Sequence, residues 1–133
     1  MVLLHKRRLR LLLLMLLVVG LLASTATAAF ATNWNTYVVT GCNGSQAAHG
    51  WGSISWEYGN IGDSATTNAA LYWWDGSNWN HVQTSSKTAY GGANTATADV
   101  YGSGHVQWTT TAVWTASFFS GQRTGESPGA TCY

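Results

Sequence analysis

The chain predicts an all-β fold: one antiparallel β-sandwich carrying a single disulfide, set behind a cleaved export segment. Three observations lead there. Residues 1–28 have the layout of a secretory signal, the remainder is nearly devoid of Leu, Met, Glu, Lys, Arg and Gln yet holds all eight tryptophans, and its apolar residues alternate with polar ones between turn residues.

The export segment comes first. Lys6, Arg7, Arg8 and Arg10 make a positive start, Leu11 to Leu22 make a twelve-residue apolar run, and Ala26-Thr27-Ala28 supplies the small-x-small pattern cut by signal peptidase. Crossing a bilayer takes about 20 apolar residues, so cleavage is expected rather than a permanent anchor. The mature chain then begins near Ala29, and 133 less 28 leaves 105 residues. That length suits one secreted domain, 29–133, with one modest core.

The mature part has one leucine, Leu71, and no methionine, whereas Thr, Gly, Ala, Ser, Asn, Val and aromatics dominate. Leu, Met, Glu, Lys, Arg and Gln, which lose little on entering a helix, are nearly absent. Those that fit a pleated, half-buried surface are abundant. A composition rich in Gly, Ser and Thr also occurs in disordered chains, but 17 aromatics in 105 residues are far more than such chains carry.

Alternation places six strands. Asn33 to Thr40 sets Trp34, Thr36 and Val38 against Asn35, Tyr37 and Val39. Trp51 to Tyr58 sets Ile54, Trp56 and Tyr58 against Ser53, Ser55 and Glu57. Asn68 to Trp74 sets Ala69, Leu71 and Trp73 against Ala70, Tyr72 and Trp74. Asp75-Gly76-Ser77-Asn78 then marks a tight hairpin, because Asp-Gly tolerates positive φ and aromatic strands flank it. Trp79 to Ser86 returns, and Thr95 to Tyr101 follows the Gly- and Asn-rich loop at 90–94. After Gly102-Ser103-Gly104, the run His105 to Phe119 puts Val106, Trp108, Ala112, Trp114, Ala116 and Phe118 on one face. It is longer than the usual strand of about 5–6 residues, so a bend or bulge is expected near Thr110 to Ala112. No connection is long and helical enough for a parallel crossover. The strand pattern fits a sandwich, with a small barrel as the alternative.

Cys42 and Cys132 are the only cysteines, both in the exported part. In an oxidising compartment they are expected to pair and close a loop of 91 residues, counting both. Such a bond contributes about 4–5 kcal/mol in the chain-entropy account.

Charge excludes some partners. Without the export segment, Lys87 and Arg123 face five acids, so net charge moves from +1 to −3. Two cations cannot neutralise a row of phosphates, which argues against nucleic acid. The same shortage argues against docking on an anionic membrane.

Catalytic and metal motifs are missing. His49, His81 and His105 lack the spacing that puts two ligands on one element, so no metal and no cofactor is expected. Glycosidase chemistry needs two carboxyls about 5–10 Å apart. Glu57 and Asp99 are the outward strand positions, while Asp63, Asp75 and Glu126 suit turns and tail. There is no Gly-x-Ser-x-Gly elbow and no phosphate-binding glycine loop. A non-enzymatic domain is the expectation.

The tryptophan surplus carries the functional signal. Trp56, Trp73, Trp108 and Trp114 are the inward candidates. Tyr72, Trp74 and Trp79 around the hairpin, with Asn78 beside them, and Trp51 and Trp34 elsewhere, are the candidate surface rings. Flat rings next to amides and carboxylates suit a sugar, whose apolar face stacks while its hydroxyls hydrogen-bond. Cross-strand aromatic packing is the structural alternative. The expected function is a secreted module binding polysaccharide or cell-surface material. The competing expectation is a small secreted antagonist, an antibacterial toxin or enzyme inhibitor, whose aromatic hairpin enters a protein partner. A third expectation is a flat outward array of Thr95, Thr97, Thr109, Thr111 and Thr115.

Overall fold

The computed structural model describes residues 32–133. The export segment, the Ala28 cleavage site and the start of the mature chain lie outside the described residues. Eight strands occur in order: β1 (Asn33–Cys42), β2 (Ala47–Glu57), β3 (Ser64–Trp74), β4 (Trp79–Tyr90), β5 (Asn94–Ser103), β6 (Gln107–Ala116), β7 (Arg123–Glu126) and β8 (Ala130–Thr131). They form two packed sheets, β1-β2-β5 and β4-β3-β6-β7, with β8 also on β6. Every pairing is antiparallel. No ladder joins β4 to β5, so the sheets stay separate and the fold is a sandwich rather than a barrel. A side chain spans that gap: Tyr101 N donates to Gln83 Oε1 at 2.6 Å.

The six expected strands all occur, most of them longer at one end. Two expectations change. The long run was expected to bend near Thr110, yet β6 pairs with β3 in unbroken register from Trp108 to Ala116. The break lies instead in its other neighbour. Residues 123–126 pair with β6 as β7, residues 130–131 pair with it as β8, and Ser127-Pro128-Gly129 bridges them. The bulge of this sheet falls between β3 and β4, at Leu71/Tyr72. Tyr58 is also not inward. It follows β2 with φ 58° and is 67% exposed, because the chain turns out of the strand there.

The core divides in two. Near one end Leu71, Val100 and Trp108 pack with Ala48, Ala69, Ala98 and Cys132. Near the other Ile54, Trp56 and Trp114 pack with Ala65, Ala89, Ala96 and Ala112. Between them Gly50 and Gly52 of β2 face Thr110, Ala112 and Thr67 of the other sheet. Side chains alternate across a strand, so these inward glycines put the outward His49 and Trp51 on the far side. The buried hydroxyls at this narrow level are bonded, as burial demands. Thr67 Oγ1 donates to Ala96 O at 2.7 Å, and Thr40 Oγ1 donates to Thr110 Oγ1 at 2.7 Å.

Cys42 and Cys132 form the disulfide, with Cα atoms 5.4 Å apart. The bond ties the end of β1 in one sheet to the C-terminal segment lying on the other.

Candidate functional site

The β3–β4 hairpin builds the candidate site. Trp74 and Trp79 are register partners across its base, and Tyr72 and His81 are the next outward pair. Outward residues of β3 recur every second position, which aligns Tyr72 with Trp74. On β4 the spacing from Trp79 to His81 continues the same face, and the bulge beyond it leaves Val82 without a partner. The Trp74 and Trp79 rings are 5.3 Å apart and tilted by 52°. Tyr72 and His81 meet edge to face at 5.4 Å. Trp79 is 46% exposed, while Trp74 and Tyr72 are half-buried.

The turn is held by one carboxylate. Asp75 Oδ1 accepts the backbone N–H groups of Ser77 and Asn78, each at 2.8 Å, and Oδ2 accepts Asn80 Nδ2 at 2.9 Å. Gly76 takes φ 99°, where a side chain would be strained. The Asn80 amide, followed by the two backbone donors, holds the Asp75 carboxyl below its ordinary range. Asn78 is exposed, and its carbonyl accepts Asp75 N at 3.1 Å and Asn80 Nδ2 at 3.2 Å.

The aromatic pair separates two grooves. One, about 460 Å³, is lined by Trp73, Trp74, Asp75, His105 and Gln107. The other, about 280 Å³, is lined by Trp79, Gln107, Trp108, Pro128 and Ala130. Inside the first, the His105 ring stacks on Trp73 at 3.5 Å, and Trp108 Nε1 donates to His105 O at 2.7 Å. Alternation could not assign Gln107 or the Pro128 segment to this site, since strands distant in sequence bring them there.

Of the sequence candidates, Tyr72, Trp74, Trp79 and Asn78 converge on this hairpin. Trp51 does not join them. It lies on the outer face of the opposite sheet, between Val39 and Asp99. There the His49 ring sits 4.8 Å from Trp51 and stacks nearly parallel on Tyr101 at 4.4 Å, with His49 Nε2 2.8 Å from Asp99 Oδ1. Trp34 is not a surface ring. It points inward from β1 against Phe119 and the second core cluster. Trp56, Trp108 and Trp114 are at most 3% exposed, and Trp73 packs against the first cluster.

The threonine array is not one surface. Thr95 and Thr97 lie on the β1-β2-β5 sheet, Thr111 and Thr115 on the other, and Thr109 is 4% exposed beside Ser127. Nor do Glu57 and Asp99 form a catalytic pair. Asp99 is the register partner of Trp51, six residues along β2 from Glu57, which is about 20 Å of strand against the 5–10 Å required. Among the described residues no group of three or more His, Cys, Asp or Glu is placed to hold a metal ion.

No protein-family model matches the chain, and no curated protein does. Among solved structures, it is similar to Spo0M, a sporulation control protein from Bacillus subtilis, at 10% identity and a TM-score of 0.31. That alignment covers 76% of this chain and 49% of the other, so the chain spans about half the length of that protein.

Proposed function

We propose that this chain is an exported, non-enzymatic β-sandwich module that binds polysaccharide through the β3–β4 hairpin. The observation that carries the reading is the Trp74–Trp79 pair, with Trp79 46% exposed, standing between two grooves with polar walls. A ring exposed beside Gln107, Asn78 and Asp75 offers both contacts a sugar uses: an apolar face to stack on, and donors and acceptors for hydroxyls. Export is supported by the basic start, apolar run and small-x-small pattern of residues 1–28. The Cys42–Cys132 bond is compatible with an oxidising compartment.

The test is co-sedimentation of the protein with insoluble cellulose, chitin and peptidoglycan. Trp79→Ala and Trp74→Ala should each abolish retention while lowering stability by no more than about 1 kcal/mol, the scale of a cross-strand pair. Trp108→Ala should destabilise by about 3–5 kcal/mol, because it empties a filled core. Retention that survives both hairpin substitutions would overturn the reading. Failure to bind any of the three polysaccharides, with tight hold on a protein through the same rings, would replace it with the antagonist.

A further inference from the structure

The end of the β1-β2-β5 sheet, where β1 begins and β2 ends, carries a further concavity away from the hairpin. Its register sets Asn33 beside Glu57, and Asn35 beside Ser55 and Thr95. With Trp34, Trp56 and Asn94 these residues line a cavity of about 370 Å³. Glu57 is exposed at the end of β2, and Asn33 and Asn35 are exposed on β1. None of the three makes a side-chain hydrogen bond to another described residue. Asn94 differs, since its amide donates to Tyr90 O at 2.8 Å and its Oδ1 accepts Thr95 N at 2.8 Å. The cavity thus has a rigid wall at Asn94 and three unengaged polar groups facing it.

The face beyond the cavity is aromatic and lacks cations. Tyr37 is 43% exposed and Tyr101 52% exposed, and Trp51 lies between their rungs. Its two carboxylates are Glu57 and Asp99, and Asp99 is engaged by His49. Of the two Lys and Arg side chains among the described residues, Lys87 is on β4 of the other sheet. Arg123 lies over the Trp34 ring at 5.8 Å, and that ring points to the inner side of β1. Glu57 therefore faces solvent with no opposing charge among the described residues.

We propose that this cavity binds a polysaccharide whose sugars carry free amino groups, the ammonium group seated on Glu57 and the hydroxyls on Asn33 and Asn35. Side-chain amides offer a donor and an acceptor each, matching hydroxyls, whereas an unpaired carboxylate matches an ammonium group. A basic peptide also carries ammonium groups. It lacks the ring hydroxyls that the Asn33 and Asn35 amides match, and a lysine hexapeptide distinguishes the two below. An acidic polysaccharide is disfavoured by repulsion from Glu57. The site shares no residue with the hairpin and stands whether or not the hairpin binds.

Calorimetric titration of the disulfide-intact protein tests this, with three soluble probes at low salt: a glucosamine hexamer, its fully N-acetylated counterpart and a galacturonic acid hexamer. The glucosamine hexamer should bind most tightly and weaken as salt screens the charge. Glu57→Gln should weaken it about twofold to fivefold, the scale of an exposed ion pair, and should leave the N-acetylated probe unchanged. Glu126→Gln on the opposite sheet is the control for net charge and should change neither. Asn35→Ala should weaken both sugars. The double variant Trp74→Ala/Trp79→Ala should bind the glucosamine probe like the parent, which separates this site from the hairpin. Several results would each overturn the assignment: no binding of the glucosamine hexamer, equal affinity for the acidic probe, indifference to Glu57→Gln in a variant that melts like the parent, or a lysine hexapeptide bound as tightly.

Discussion

Adding one methyl group at Gly52 probes the narrow level between the two cores. A Cβ there would lie 2.6 Å from Ala112 Cβ and 3.0 Å from Thr67 Cγ2. Carbon atoms pack at about 3.5–4.0 Å, so the sheets must part locally by roughly 1 Å. Neither neighbour can swing aside. Ala112 has no rotatable side chain, and Thr67 is held by its bond to Ala96 O. Overpacking of this kind costs about 1–3 kcal/mol. Against it, alanine in a strand interior gains about 0.5–1 kcal/mol over glycine. The net expectation for Gly52→Ala is a loss of about 1–2 kcal/mol. For a domain of this size that lowers Tm by roughly 4–16 °C, read by circular dichroism with the disulfide intact. Gly62→Ala is the control, because a Cβ there meets nothing within 4 Å, and it should stay within about 0.5 kcal/mol of the parent. Ala112→Gly in the Gly52→Ala background removes the nearest atom. The double variant should then lose less than the two single losses added, by at least about 0.5 kcal/mol. If Gly52→Ala melts at or above the parent, the close approach of the sheets does not limit packing and the reasoning fails.

Two further outcomes follow from the disulfide and the hairpin. Thiol titration of the denatured protein should find no free cysteine, and Cys42→Ser/Cys132→Ser should destabilise by about 2–5 kcal/mol in urea unfolding; two titratable thiols per chain would contradict the pairing. Asp75, whose folded carboxyl titrates below its unfolded value, stabilises the turn fully above the unfolded value of about 3.9 and loses that contribution as pH falls through the lower folded value. Carboxyl NMR should find Asp75 titrating below ordinary aspartate, and Asn80→Ala should move it back upward; an unchanged midpoint in that variant would show that the Asn80 bond is not the cause.

Strand alternation made much of this fold legible. Inward Ile54, Trp56, Leu71, Val100, Trp108 and Trp114 were identifiable because each sits two residues from another apolar position on a single strand. The hairpin was legible because Asp75-Gly76 marks its own turn and both flanking strands are local. β7 and β8 were not, since four and two residues are too few to display a period. The misplaced bend has a related cause. A long strand followed by a broken partner presents the same one-dimensional pattern as a long strand that bends. Trp51 was placed on the right kind of surface, but no local rule could say that its sheet faces away from the hairpin. The cavity at Glu57 was equally hidden, because Asn33, Glu57 and Asn94 meet only through pairing between separated strands.

The Cys42–Cys132 bond has a mechanical consequence for the domain under load. Pull on Thr32 and Tyr133, and tension passes from the C-terminal residue through the sulfur bridge into Cys42 and out along β1. The covalent path of that tension bypasses the backbone of strands β2 to β7. Without the bridge, the 102 residues from 32 to 133 could pay out to about 350 Å of chain. With it, only residues 32 to 42, Cys132 and Tyr133 lie in line, and ten of these are already extended as β1 at about 3.4 Å per residue. Oxidised, the domain is a strut of nearly fixed length between those two points, its covalent backbone in line being one pre-stretched strand. Reduction turns the same chain into an extensible tether.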